Sequence, residues 1–262
     1  MAPRLADKIF LISGSTGIAA ATATRVVAEG GQVLVCSRTE EKCAALAQQL
    51  GNACRYRAAD LRQAGQVEGV VRQCIEDFGR IDALFNVAGI SGRRLGDGPI
   101  HECGEYGWDA TLEANLKSQF LLCRAVIGHM LRQQPGPSGL RGAVLNMTSV
   151  LGFAPERRFF AAHAYAASKG AIISLSRSMA AYYAPHKIRV NAIAPALVRT
   201  PMSGRAQSDA DILAFMEDKQ PLNQGLIEPE DVADMAVFLL SDEAKSVTGD
   251  VFTVDGGWCV SG

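Results

Sequence analysis

Runs in which nearly every position is apolar recur along the chain at residues 9–12, 32–36, 83–87, 143–147, 189–194 and 251–254. A strand with one wet face alternates apolar and polar residues, so runs without alternation are expected of strands covered on both sides. Between them lie segments with helical spacing, 18–29, 40–50, 66–78, 106–131, 165–183 and 231–240. Strand and helix in turn predict an α/β chain, a doubly wound and mostly parallel sheet with helices on both faces. No internal repeat interrupts it, and the one linker-like patch, 135–142, is short enough to join a helix to the next strand. The expectation is a single domain over residues 1–262.

Two places carry candidate chemistry. The first predicted strand runs into Ser13, Gly14, Ser15, Thr16, Gly17, Ile18 and Ala19, and a helix follows. Glycines at such a turn let the backbone approach a pyrophosphate, whose charge the helix N-terminus favours. A tight turn that needs glycine for steric reasons explains them as well. The second strand ends at Ser37 and Arg38, where a dinucleotide-binding unit selects its cofactor. A carboxylate there accepts from the ribose 2′-hydroxyl of NAD, whereas a cation suits the 2′-phosphate of NADP. Ser37 removes the carboxylate and Arg38 supplies a planar donor fork, so NADP(H) is the expected cofactor. The alternative is that Arg38 is a solvated loop charge beside Glu40 and Glu41.

The second place runs from Asn146 to Lys169. Ser149 closes a predicted buried strand, and Tyr165 and Lys169 follow with i, i+4 spacing, one turn apart on one helix face. A phenol ionises near pH ~10 and needs help to exchange protons at neutral pH. An ammonium one turn away favours its phenolate, and a neighbouring hydroxyl can hold a substrate oxygen. The trio describes proton exchange with a carbonyl or carbinol oxygen, although Tyr and Lys at this spacing are by themselves an ordinary helix face.

Composition narrows the partners. The 262 residues, 48% apolar and 20% charged, suffice for a large core. A net charge of −1 with both signs dispersed gives no reason to expect nucleic acid or an anionic membrane. The seven cysteines are odd in number and unclustered, without metal-ligand spacing, which suits a reduced, cytoplasmic protein that holds no metal. Residues 1–8 lack the apolar stretch of a signal peptide, and no segment approaches the roughly 18 apolar residues of a membrane span.

The glycine turn, Asp60-Leu61, Asn86-Val87-Ala88-Gly89, Asn115, Ser149, Tyr165 with Lys169, Arg189-Val190-Asn191 with Pro195 and Thr200, and the final Val254-Asp255-Gly256-Gly257 follow one another in order. In that order the chain resembles a classical short-chain dehydrogenase/reductase over essentially its full length. The resemblance implies a seven-stranded Rossmann fold. It implies that Gly14, Ser15, Thr16, Gly17 and Ile18 cradle the dinucleotide, with Ser37 and Arg38 at the adenosine ribose. Asp60, beside Leu61, would accept from the adenine amino group, with helix capping as its rival role. Asn86, Ala88 and Gly89 would line the adenosine side and hold the central strand. Pro195, Val198 and Thr200 would close over the nicotinamide, a plain turn and cap being the alternative.

For catalysis the resemblance implies Tyr165 as general acid and base, Lys169 on the nicotinamide ribose, Ser149 on the carbonyl oxygen, and Asn115 locally disrupting its helix and holding a water that links the lysine to solvent. Thr148 competes with Ser149, and Asn115 has a solvent-facing alternative. The reading is an NADP(H)-dependent carbonyl reductase or alcohol dehydrogenase of small molecules, forming a homotetramer through segments 106–131 and 165–183. Two alternatives stay open: the same chemistry with NAD(H), and a non-catalytic nucleotide-sensing or interaction protein on the same fold.

Three features depart from the family pattern. Only two residues separate Gly14 from Gly17, and Ala19 stands where a third glycine is usual. The connection from Ser149 to Tyr165 is about three residues longer than usual and carries Phe153, Glu156, Arg157, Arg158, Phe159, Phe160 and His163. It is expected to shape the substrate pocket or a subunit contact, with His163 in a structural role. Pro195 is followed by Ala196 in place of glycine, and residues 196–225 are expected to form a substrate lid with Met202, Ile212, Leu213, Phe215, Met216 and Leu222 as its apolar content.

Overall fold

The computed structural model describes residues 4–261. Its centre is a seven-stranded sheet of β1 (Ile9–Ser13), β2 (Gln32–Ser37), β3 (Cys54–Ala58), β4 (Ala83–Asn86), β5 (Gly142–Met147), β6 (Ile188–Pro195) and β7 (Val251–Val254). The strands lie in the order β3-β2-β1-β4-β5-β6-β7, and every pairing is parallel. Successive side chains point to opposite faces, so one apolar run feeds two cores. Phe10 and Ile12 join one cluster and Ile9 and Leu11 the other, just as Val33 and Val35 part from Leu34 and Cys36.

The helices are α1 (Ile18–Ala28), α2 (Glu40–Leu50), α3 (Ala64–Phe78), α4 (Glu105–Leu112), α5 (Ser118–Met130), α6 (His163–Tyr183), α7 (Gly204–Gln207), α8 (Ala210–Lys219) and α9 (Pro229–Leu240). Buried residues of α1 and α9 close the first core, and those of α3 and α5 close the second. None of the described helices is long and apolar enough to cross a membrane.

Two sequence expectations need correction. β3 lies outside the six apolar runs because it is an edge strand: Arg55 and Arg57 are polar and alternate with buried Cys54. The segment expected as one helix over 106–131 is two, α4 and α5, joined by a π-helical turn, Glu113–Lys117. Asn115 lies in that turn and is fully buried, which excludes its solvent-facing alternative. Its Oδ1 accepts from Ile90 N at 2.7 Å, and its Nδ2 donates to Ile90 O at 3.0 Å and to Ser168 Oγ at 3.1 Å. An amide anchored to a neighbouring loop accompanies the local widening of the helix.

Candidate active site

Parallel strands bring their carboxyl ends to one edge, and the chain winds away in opposite directions from the neighbours β1 and β4; such a switch point opens a crevice. On one side of it β5 runs into Thr148 and Ser149. The Thr148 hydroxyl donates to Lys169 O at 2.7 Å and is turned into α6. Ser149 Oγ accepts from Leu151 N at 3.2 Å, donates to Pro195 O at 3.4 Å, and lies beside Tyr165, whose phenol it draws down. Of the two adjoining hydroxyls, it is therefore Ser149 that meets the phenol.

Lys169 is 2% exposed, and its Nζ donates to Met147 O at 2.9 Å and lies 5.4 Å from the Tyr165 ring centre. Burial pushes the ammonium down to about 7. Burial also pushes the Tyr165 phenol above its ordinary value, and the hydrogen bond with Ser149 draws it partly back. Desolvation thus sets the direction, against the lowering by the lysine cation expected from the spacing. Gln119, 1% exposed and one turn beyond Asn115, donates to the same Met147 carbonyl at 3.1 Å. The sequence reading passed over it, although the i, i+4 relation to Asn115 was visible.

Across the crevice the glycine turn enters α1. Gly17 precedes the helix at φ 54°, with no side-chain cap, so the first N–H groups of α1 point to whatever acceptor approaches. A Cβ on Gly17 would meet Thr200 Cγ2 at 2.9 Å, so the turn and Thr200 are close neighbours. Thr200 also begins a turn, its N–H donating to Ser203 Oγ at 3.1 Å. Buried Ala19 fills the space that a Cβ on Gly14 would need, 2.9 Å away, which is how the turn takes the extra methyl. Ser15 is buried and its hydroxyl pairs with Ser37 Oγ at 3.0 Å, whereas Thr16 and Arg38 are exposed and Ile18 is half-buried.

Other predicted cofactor residues also make contacts within the fold. The Asp60 carboxylate is gripped by Arg62, with Nη2 at 2.6 Å, Nε at 2.9 Å and the backbone N at 3.1 Å, and the Arg62 hydrogen bonds hold it down at about 2. It does not cap α3, whose N-cap is Gln63. Leu61 packs in the second core. Fully buried Asn86 donates to Asn146 Oδ1 at 2.8 Å and to Cys123 Sγ at 3.2 Å, joining β4 to β5. The N–H groups of Val87 and Ala88 both donate to Ser13 Oγ, a further role that sequence reading missed. Gly89 lies against Asn115 Oδ1 and Lys169 Nζ. Pro195 ends β6, and Val198 is buried and bridges to Ile227.

The long connection after Ser149 and the 196–225 segment form one apolar wall. Val150, Ile212, Met216 and Trp258 make its buried centre. Phe159 packs on Phe215 with ring centres 5.3 Å apart, and Phe160 on Trp258 at 5.7 Å. Arg93 and Arg205 both donate to Phe159 O, at 2.9 and 3.0 Å. Gln220, fully buried, bonds Leu197 through both amide atoms and reaches Gly225 O, clasping the two ends of the segment. Met202 and Leu222 remain exposed, and so does His163. No group of three or more His, Cys, Asp or Glu residues is placed to hold a metal ion among the described residues.

The cradle suits a nicotinamide dinucleotide: an uncapped helix start for phosphates and a hydroxyl pair facing a lysine at the other end. Residues 12–259 match the model of a family described as enoyl-(acyl carrier protein) reductase. The chain is 35% identical over 261 residues to the short-chain reductase protein NovJ of Streptomyces niveus, covering 96% of this chain and 94% of that one. It is 34% identical over 258 residues to a 3-alpha-(or 20-beta)-hydroxysteroid dehydrogenase of Mycobacterium tuberculosis, covering 98% and 91%. The solved 3-ketoacyl-(acyl-carrier-protein) reductase of Brucella melitensis, complexed with NADH, superposes with a TM-score of 0.86 at 26% identity, covering 97% of this chain and 99% of that one. With the family match spanning nearly the whole chain, the protein belongs to the classical short-chain dehydrogenase/reductases, NAD(P)-dependent oxidoreductases of alcohol and carbonyl groups.

Proposed function

We propose that this chain is an NADP(H)-dependent carbonyl reductase or alcohol dehydrogenase in which Tyr165 exchanges the proton of the substrate oxygen. The observation that carries the reading is that Ser149, Tyr165 and Lys169 come together, with buried Ser149 beside the phenol and Lys169 Nζ 5.4 Å from its ring. A carbonyl oxygen entering beside these hydroxyls accepts from both. Ser149 holds it, and the Tyr165 O–H yields its proton as the oxygen gains negative charge; in alcohol oxidation the phenolate takes a proton back. NADP(H), when bound, supplies a hydride to the carbonyl carbon or accepts one from the carbinol. A phenol held above its ordinary range by burial is protonated at neutral pH, as a general acid in carbonyl reduction has to be. Lys169, titrating near neutrality, can return a proton to the phenolate, and Asn115 would keep the relay's water through the main chain of its π-helical turn.

Ser37 in place of a carboxylate, and exposed Arg38 beside it, support NADP(H) over NAD(H). The NADH complex of the Brucella relative favours the second reading, the same chemistry with NAD(H). Residues 196–225 would act as the lid, and the aromatic and aliphatic wall they share with residues 150–160 supports a partly apolar carbonyl substrate. Exposed Tyr106 on α4 and Phe120 on α5 support self-association through these helices, to the expected homotetramer. Seven unpaired cysteines, most of them buried, suit a cytoplasmic setting.

The test is oxidation of NADPH and of NADH across a panel of ketones and aldehydes. Turnover with NADPH preferred is the expected result. Turnover with NADH preferred removes the role given to Arg38, and cofactor binding without turnover on any carbonyl favours the nucleotide-sensing reading.

A further inference from the structure

α6 carries both Tyr165 and Lys169, yet it begins on Ala162, which has no side chain to cap it. A helix start leaves its first backbone N–H groups without partners, and an N-cap Ser, Thr, Asp or Asn normally accepts from the second and third. Here those bonds come from a remote loop. Asp97 Oδ1 accepts from Ala164 N at 2.9 Å, and Asp97 Oδ2 from the N–H of Tyr165 itself at 2.8 Å. The neighbouring Gly98 O accepts from His163 N at 3.1 Å, and Ala166 N bonds Ala162 O, so every N–H of the first turn has a partner.

The loop is shaped to deliver this carboxylate. Asp97 is 6% exposed. Its N–H bonds Gly92 O, and Cys103 Sγ donates to its Oδ1 at 3.8 Å. Gly92 has φ +74°, and a Cβ there would meet Thr111 Oγ1 at 2.2 Å and Asp97 Cβ at 2.9 Å, so only glycine lets the loop close on Asp97. Arg93 of the same loop tethers the Ser149 to Tyr165 connection through Phe159 O.

We infer that Asp97 is a positioning residue for Tyr165: by bonding both oxygens to the first turn of α6, it fixes the direction in which the phenol leaves the helix. The inference rests on the proposed role of Tyr165. It has an electrostatic corollary, because a carboxylate at the start of α6 opposes the positive end of the helix dipole and disfavours the phenolate. The other ionisable groups on this side are Arg93 on the same loop, with Arg205 beside it, Cys103 ahead of α4, and His163 and Tyr165 on the turn that Asp97 bonds.

The test compares wild type, Asp97→Asn, and Asp97→Asn combined with Ala162→Asp, which returns a carboxylate to the same two N–H groups from within α6. Asparagine keeps the shape but cannot accept with both ends. In folded Asp97→Asn the expected results are a kcat at least ~10-fold lower with NADPH affinity unchanged, a Tyr165 phenol titration moved to lower pH, and faster amide exchange at residues 164 and 165. The paired variant regains kcat. A purely structural Asp97 lowers thermal stability and the folded fraction but leaves kcat per folded site and the phenol titration in place, and that outcome overturns the inference. Where Asp97→Asn does not fold, the pair decides alone: a folded pair with wild-type phenol titration and wild-type amide exchange at residues 164 and 165 supports the inference, and a folded pair below a tenth of wild-type kcat overturns it. Absence of turnover in wild type counts against Tyr165 as the proton donor, while amide exchange and phenol titration still read Asp97.

Discussion

α1 and α6 pack on opposite faces of the sheet, and each begins on a residue whose side chain cannot cap it, Gly17 and Ala162 respectively. At α6 the chain closes the gap itself, sending Asp97 and Gly98 from a remote loop, Asp97 from 67 and 68 residues away in sequence. At α1 no side chain arrives. The same local deficiency therefore has two outcomes. A helix that must aim a phenol is fixed by internal hydrogen bonds, and a helix that must meet phosphates keeps its N–H groups for them.

The sharpest way to break this contrast is to close α1. Gly17→Asp puts a capping carboxylate, and negative charge, where the pyrophosphate is expected, at a backbone conformation and a distance from Thr200 that only glycine tolerates. NADPH affinity should fall about 100-fold, or ~2.7 kcal/mol, by fluorescence titration; unchanged affinity removes α1 from the cofactor site. Next, Arg38→Glu restores a carboxylate at the end of β2. It should lower kcat/KM with NADPH about 30-fold and raise that with NADH, the ratio being read from parallel initial rates. The smallest effect concerns stability on the α6 side. Lys169 titrates at about 7 in the folded protein against 10.5 for an ordinary lysine, so between these pH values the unfolded chain holds a proton that the folded one lacks. Stability should rise with pH through that window, by on the order of 1 kcal/mol per pH unit, and Lys169→Met should flatten the slope in urea denaturation.

The sequence disclosed the sheet because its central strands are covered on both faces and so are apolar at nearly every position. It hid β3, whose exposed Arg55 and Arg57 break the run. It disclosed the i, i+4 relation of Tyr165 and Lys169 but not which of Thr148 and Ser149 meets the phenol, because a single hydrogen bond to Lys169 O turns Thr148 away. Asp97 was invisible for a different reason: its partners lie 67 and 68 residues on. The only hint was negative, a predicted helix preceded by alanines where a capping residue is usual. By residue type Asn115 was one weak helix former in a long amphipathic run; the family resemblance implied a local disruption there, and its hold on Ile90 and Ser168 shows what accompanies it.

The most direct measurement is the pair of wild type and Tyr165→Phe, compared by NADPH titration and by steady-state carbonyl reduction. Removing one oxygen leaves the ring, α6 and the loop of Asp97 in place. The expected result is NADPH affinity within about twofold of wild type and kcat lower by at least ~10³-fold, in the range that general acid catalysis contributes. A Tyr165→Phe enzyme that still reduces ketones at a rate near wild type would contradict the account.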